Sequence, residues 1–223
     1  MTTRRAPAPG GGIVVEVAGD RLIGWVNRFS GRNDGLLSVL GDDAGVRITG
    51  GNGTVADIAV PFGPMTRGDR EPLEALLHHL AALGALGVVL VRGGAHSVGV
   101  ARDGVVLSSS TDRAYLQGRT AAGGWSQQRF ARRRGNQRTA SLDSAADAVA
   151  RVLLPLTASL DGMVLGGDRA GLATVMADAR LVTLTSLPRR TFPDIAEPRR
   201  AVLDDVAARS LALSITVTAT RPA

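Results

Sequence analysis

A chain of 223 residues that is 44% hydrophobic can bury one large core or two smaller ones, which excludes a wholly disordered polymer. Only 3% of it is aromatic, so the core has to be aliphatic, and a formal net charge of +6 favours a polyanionic partner. The absence of cysteine excludes disulfides, thiolate nucleophiles and zinc-thiolate sites; all 26 basic residues are arginine, so every cationic contact is a guanidinium fork suited to phosphates and base stacking.

Residues 1–12, "MTTRRAPAPGGG", are rich in Pro, Gly and Ala and read as a disordered leader with no apolar signal core. "IVVEV" reads as a strand. Asp20 then caps a helix whose apolar positions Leu22, Ile23, Trp25, Val26 and Phe29 form one face, placing Trp25 in the core. "GVRITGGNGTVADIAV" sets two alternating runs around a glycine turn, a hairpin pattern. "DREPLEALLHHLAALGALG" is an amphipathic helix with Leu73, Leu76, Leu77, Leu80 and Leu83 at helical spacing. His78 and His79 are adjacent, point to different faces and cannot form a metal pair.

"GVVLVRGG", "AHSVGVARDG" and "VVLSSSTDRAYL" read as three strands joined by glycine turns, with His96 in a structural position. "SLDSAADAVARVLLPL" is a helix with Ser141 or Ser144 as its cap and Ala146, Val149, Val152 and Leu153 inward. "DGMVLGGDRAGLATVMAD" reads as strand, glycine turn and helix; "RLVTLTSLP" as a strand; "EPRRAVLDDVAARS" as a helix; and "LALSITVTAT" as a last strand. The expected organisation is a leader over 1–12, a small hairpin-and-helix unit over 13–85, and an α/β (α+β) domain over 86–223 with a mixed sheet flanked by helices.

No ligand spacing for a metal is present, and "GGDRAG" at 166–171 lacks the spacing of a phosphate loop, so it reads as tight strand-to-helix packing. No cofactor is expected. The concentration of chemistry lies in "AAGGWSQQRFARRRGNQR", residues 121–138. From Ala114 to Leu142 there is no acidic residue, while Arg119, Arg129, Arg132, Arg133, Arg134 and Arg138 all fall there. A solvated helix face would intersperse acids at i, i+4; their absence points to phosphate contacts on RNA. Gly123 and Gly124 allow close backbone approach to a ligand, and Ser126, Gln127 and Gln128 are polar without charge. A glutamine cannot serve as a base at neutral pH, but it can place a water or donate to a developing oxyanion. Trp125 offers a plane on which a base can stack.

"GG" followed by "RFARRR" resembles the Gly-Gly-Gln loop and the following helix in the catalytic middle domain of archaeal and eukaryotic class I peptide release factors. The similarity runs from about Gly87 to Arg209. Within that group the chain resembles the Vms-like release factors of ribosome-associated quality control, whose compact actinobacterial members carry a Gly-x-Ser-Gln loop, matched here by Gly124, Trp125, Ser126 and Gln127. The resemblance implies an RNase H-like fold and a cytoplasmic, monomeric peptidyl-tRNA hydrolase. It also implies large ribosomal subunit, rRNA and peptidyl-tRNA as partners. No metal is expected from the ligand spacing, and no membrane partner, since no apolar run approaches the length of a membrane span. Gln127, with Gln128 as the alternative, would position water at the ester. The chain departs from the classical factors in placing Trp125 where their glutamine stands, and it lacks their codon-reading motif. The rival reading is a ribosome-binding or RNA-binding module without catalysis.

Overall fold

The computed structural model describes residues 5–8, 11–113 and 126–219; along residues 126–131, 133 and 134 it describes the backbone. The chain forms two compact units, Met1–Leu83 with Leu211–Ala223, and Gly84–Ser210. The second is therefore inserted into the first.

The first unit is an antiparallel sheet with two helices. Its strands are β1 (Arg5–Pro7), β2 (Ile13–Val17), β3 (Leu36–Gly41), β4 (Gly45–Gly50), β5 (Val55–Ala59) and, from the far end of the chain, β11 (Leu213–Thr218). Their order is β1-β2-β11-β5-β4-β3. Period-two alternation turns Val15, Val17, Val46, Ile48, Ala56, Ile58, Leu213 and Ile215 to one face. There they meet Leu22, Val26 and Phe29 of α1 (Leu22–Arg32) and Ala75 and Leu76 of α2 (Pro72–Ala82). The "GGNG" hairpin joins β4 to β5, with Gly53 at φ +81°. Trp25 is only partly buried; it packs against this core and stacks on Phe29 at 5.4 Å between ring centroids.

Two sequence expectations change here. Residues 5–7, read as part of a disordered leader, pair with β2 through Arg5↔Val15 and Pro7↔Ile13. "LALSITVTAT", read as the last strand of the second domain, instead fills the centre of the first sheet, between β2 and β5. An alternating pattern specifies that a strand has one buried face, not which sheet buries it.

The second unit is a five-stranded mixed sheet in the order β10-β9-β6-β7-β8. β6 (Ala85–Arg92), β7 (Ala95–Arg102) and β8 (Val105–Arg113) form an antiparallel meander, and β9 (Leu160–Gly167) and β10 (Arg189–Phe192) add in parallel beside β6. This is the RNase H-like arrangement that the sequence resemblance implies. β6 and β7 are buried along seven of their eight residues, as strands covered on both faces must be. One face carries α3 (Ser126–Leu153) and α4 (Arg169–Met176), with Val149, Leu153, Leu172 and Val175 packed on Val89, Val98 and Met163. α5 (Arg200–Arg209) lies on the other face, where a Cβ on Gly99 would come within 3.0 Å of Leu203.

α3 is far longer than expected. Ser141, read as a cap, sits inside the helix, buried, and its hydroxyl donates to the Gly94 carbonyl at 2.9 Å. "RLVTLTSLP", read as a strand, is a 3-10 helix over Ala179–Ser186. Asp178 caps it by accepting from Arg180 N–H, and the fully buried Leu181 and Leu184 recur at the three-residue period of that helix. The strand begins later, at Arg189.

Gly166 and Gly167 end β9. A Cβ on Gly166 would meet Leu90 Cδ2 at 2.6 Å, and Gly167, at φ +106°, faces the Val91 carbonyl so closely that a Cβ would overlap it. Gly167→Ala should therefore destabilise the fold by more than about 2 kcal/mol, read from urea midpoints.

His96 is buried on β7, opposite Asp112 of β8. Burial pushes its pKa below the usual 6.5, and Arg151 adds to that, while Asp112 opposes it. The folded state thus binds the proton less readily than the unfolded state. Stability is predicted to fall as pH drops below 6.5 toward the folded pKa, with a slope of at most about 1.4 kcal/mol per pH unit. Asp178, held near 2 by the Arg180 guanidinium and backbone N–H, acts only in a separate window below 3.8. Urea midpoints of His96→Gln between pH 7.5 and 5 should show this slope flattened.

Candidate functional site

All functional geometry described for the second unit gathers at one end of its sheet. β6 runs antiparallel to β7, which runs antiparallel to β8, while β9 and β10 run with β6. The β6–β7 turn at Gly93 and Gly94, the end of β8 at Arg113, the end of β9 at Gly167 and the end of β10 at Phe192 therefore share one edge. β8 ends at this edge with Arg113, and α3 meets the same edge at Arg138 and Ser141, through Asp168 and Gly94. This is the edge where open α/β sheets place ligands, outside the carboxyl ends of the parallel strands.

Among the described side chains of α3, burial begins at Ser141; Ala145, Ala146, Ala148, Val149 and Leu153 follow in the core. Before it, Arg132, Gly135, Asn136, Arg138, Thr139 and Ala140 are exposed. At 1.5 Å per residue the 15 steps from Ser126 to Ser141 carry the helix start roughly 20 Å beyond its point of burial. Ion pairs and polar contacts hold the base. Arg138 Nη2 donates to Asp168 Oδ2 at 2.9 Å, Arg151 Nη2 to Ser110 Oγ at 2.9 Å, and Arg180 Nη2 to Asp147 at 2.8 Å and Asp178 at 2.7 Å.

The electrostatics of the free half are one-sided. Arg119, Arg129, Arg132, Arg133, Arg134 and Arg138 lie between Ala114 and Leu142 with no acid among them. The remaining 20 basic residues balance the 20 acidic ones, so this segment accounts for the whole formal net charge of +6. A helix N-terminus already carries about half a positive charge, and α3 has no acid in its first turn to offset it. Like charges at i, i+4, as at Arg129 and Arg133, add to the cost. Gly135 in the helix interior removes about 1 kcal/mol more relative to Ala. The free half is thus poorly stabilised by its own sequence, and a polyanion would compensate each of the electrostatic costs.

The sequence-predicted residues distribute as follows. Ser126, Gln127 and Gln128 open α3, and Arg129, Arg133 and Arg134 lie in its backbone. Arg132 is exposed there, and Arg138 is exposed but paired with Asp168. Arg119, Gly123, Gly124 and Trp125 lie outside the described residues. The reading of Arg138 as one of six equivalent RNA contacts missed that pairing, which only the return of β9 to the same edge creates.

Among the described residues, nothing else at this edge gathers catalytic groups. Among the described residues no three of His, Asp and Glu come together as a metal set. A cleft of about 470 Å³ along α4 and β10 is lined by Leu165, Leu172, Met176 and Phe192 with Arg169, Arg189 and Thr191; no His, Asp or Glu lines it to activate the Thr191 hydroxyl. No described helix is long and apolar enough to cross a membrane.

By fold, then, the second unit is an RNase H-like α/β domain with a basic helix extending from the carboxyl edge of its sheet. Residues 84–216 match the model of the Actinobacteria/chloroflexi VLRF1 release factors, more than half of the chain, and the chain belongs to that family. Among solved structures it is similar to one described as the Vms1 mitochondrial localization core, at 13% identity and a TM-score of 0.45, covering 91% of this chain and 84% of that one. It is also similar to the archaeal translation termination factor aRF1, at 11% identity and a TM-score of 0.37, covering 89% of this chain and 66% of that one. Both likenesses are remote, and the family assignment rests on the sequence match. No curated protein matches the sequence.

If the free half of α3 grips phosphates, Arg132→Ala, Arg133→Ala and Arg134→Ala combined should weaken binding to large ribosomal subunits. The slope of log affinity against log salt should drop by roughly 2, at about 0.7 per contact as for single strands. Thermal stability should stay unchanged. A filter-binding titration at several salt concentrations measures this.

Proposed function

We propose that this chain is a peptidyl-tRNA hydrolase that frees nascent chains from stalled large-subunit complexes, acting in the cytoplasm as a monomer. The carrying observation is the acid-free arginine helix that leaves the sheet edge and begins with Ser126, Gln127 and Gln128, in a chain of a release-factor family. Each part of the segment has a task in this reading. The arginines dock on rRNA and the acceptor end of the tRNA, where bidentate guanidinium contacts to phosphate are strongest. Gly123 and Gly124 let the backbone come close to the ester. Gln127 holds a water against the ester carbonyl, while a hydroxyl of the tRNA assists proton transfer. The reach of α3 supports this division of labour, since a compact domain must stay outside a narrow RNA cavity while its reactive residues enter.

The tetrahedral intermediate develops negative charge on the former carbonyl oxygen. Donors fixed in place before the reaction stabilise that charge at no reorganisation cost, and here the ribosome supplies most of them. The free protein should therefore act poorly on simple esters. Trp125 stands where classical factors place glutamine and gives the rival reading its footing, as a base-stacking plane in a module that binds without hydrolysis.

One substitution separates the two. Gln127→Ala should slow peptide release from stalled large-subunit complexes by at least about a hundredfold, the usual weight of a positioned catalytic group, while binding is retained. Release that persists in both Gln127→Ala and Gln128→Ala would remove the glutamines from the mechanism.

A further inference from the structure

Of the two arginines of the segment whose side chains are described, Arg132 is exposed, whereas the guanidinium of Arg138 is engaged with Asp168 Oδ2 at 2.9 Å. Asp168 is itself a fixed point. Its backbone N–H donates to the Val91 carbonyl at 2.8 Å, its Oδ1 accepts from Ala170 N–H as the cap of α4, and it follows the tightly packed Gly167. Three residues along α3, Ser141 reaches a second fixed point, the Gly94 carbonyl at the β6–β7 turn. Leu142 adds a packing contact against the core beside Gly171. The helix is thus fastened to two different strand ends within one turn, at the place where it leaves the core.

We propose that Arg138 is a positioning residue, not an RNA contact: its pairing with Asp168 sets the direction in which the free half of α3, and with it Gln127 and Gln128, is presented. This rests on the hydrolase reading for its consequence, though not for its geometry. An exposed ion pair contributes little to folding stability. Leverage makes it matter. From Arg138 to Ser126 the helix extends roughly 18 Å, so a tilt of about 10° moves its start by about 3 Å, and misplacement by about 1 Å can cost a hundredfold in rate.

The test uses the full chain. Asp168→Asn keeps a good capping side chain but removes the charge. It should lower the release rate at saturating large subunits tenfold or more, with half-saturating concentration, salt dependence and melting temperature unchanged. Arg138→Gln should do the same, and the double variant should be no worse than either single one. If Arg138→Gln instead weakens subunit binding and flattens its salt dependence while Asp168→Asn behaves as wild type, the proposal is overturned. A second readout needs no ribosome. Because the chain has no cysteine, Asn136→Cys and Thr174→Cys place two spin labels on α3 and α4 without competing sites. Their distance distribution should broaden in Asp168→Asn, and an unchanged distribution overturns the brace. Should wild-type protein release no peptide at all, the hydrolase reading fails while the distance measurement still decides the brace.

Discussion

Burial of α3 from Ser141 to Leu153 is the constraint on which the functional geometry depends. From Ser141 onward the helix is held by aliphatic packing against Val89, Val98 and Met163, so any change of its direction arises where it leaves the core, between Arg138 and Ser141. Ahead of Ser141 no described side chain of the helix is buried, and the sequence carries positive charge toward the helix's own positive end. A rigid base and an electrostatically unsatisfied tip on one continuous element form a probe whose natural partner is anionic. The sheet edge, the Gly93–Gly94 turn and the end of β9 then serve as the mounting.

The same division separates stability from function along the chain. Glycines at the mounting are there for space and backbone conformation, as Gly166 against Leu90 and Gly167 against Val91 make plain. Polar residues at the mounting are satisfied locally: Arg113 pairs with Glu197, and Arg180 with Asp147 and Asp178. Surface pairs of this kind contribute little individually to stability, yet they cancel the charge around the base of α3. What is left uncancelled lies in the segment around its start.

Much of the fold was legible from period alone. The meander over β6, β7 and β8, the β9 turn into α4, and the "GGNG" hairpin follow from local pattern and glycine placement. What escaped was non-local or ambiguous in period. β11 carries an ordinary alternation, and nothing in Leu213 or Ile215 announces that their partners are Val17 and Ile58. Val182, Thr183 and Thr185 have the β-branched character of a strand, and only the burial of Leu181 and Leu184, three residues apart, with Asp178 as cap, marks the 3-10 helix. Ser141 has the chemistry of a cap, but its hydroxyl serves Gly94 from within a helix. The site was legible by composition: an acid-free arginine run beside Gly-Gly and paired glutamines is visible without coordinates. Its reach beyond the sheet, and the separate role of Arg138, depend on where β9 and α4 end and could not be read from spacing.

The most direct measurement of the central claim is the fate of the ester itself. Purified protein is mixed with large-subunit complexes carrying a labelled nascent chain, and the peptidyl-tRNA band is followed on a gel under single-turnover conditions. Deproteinised peptidyl-tRNA is run in parallel. Conversion to free peptide on the subunit, with the deproteinised substrate left intact, is the predicted result. Stable association with the subunit while the ester survives would contradict it and leave α3 as an RNA-binding arm.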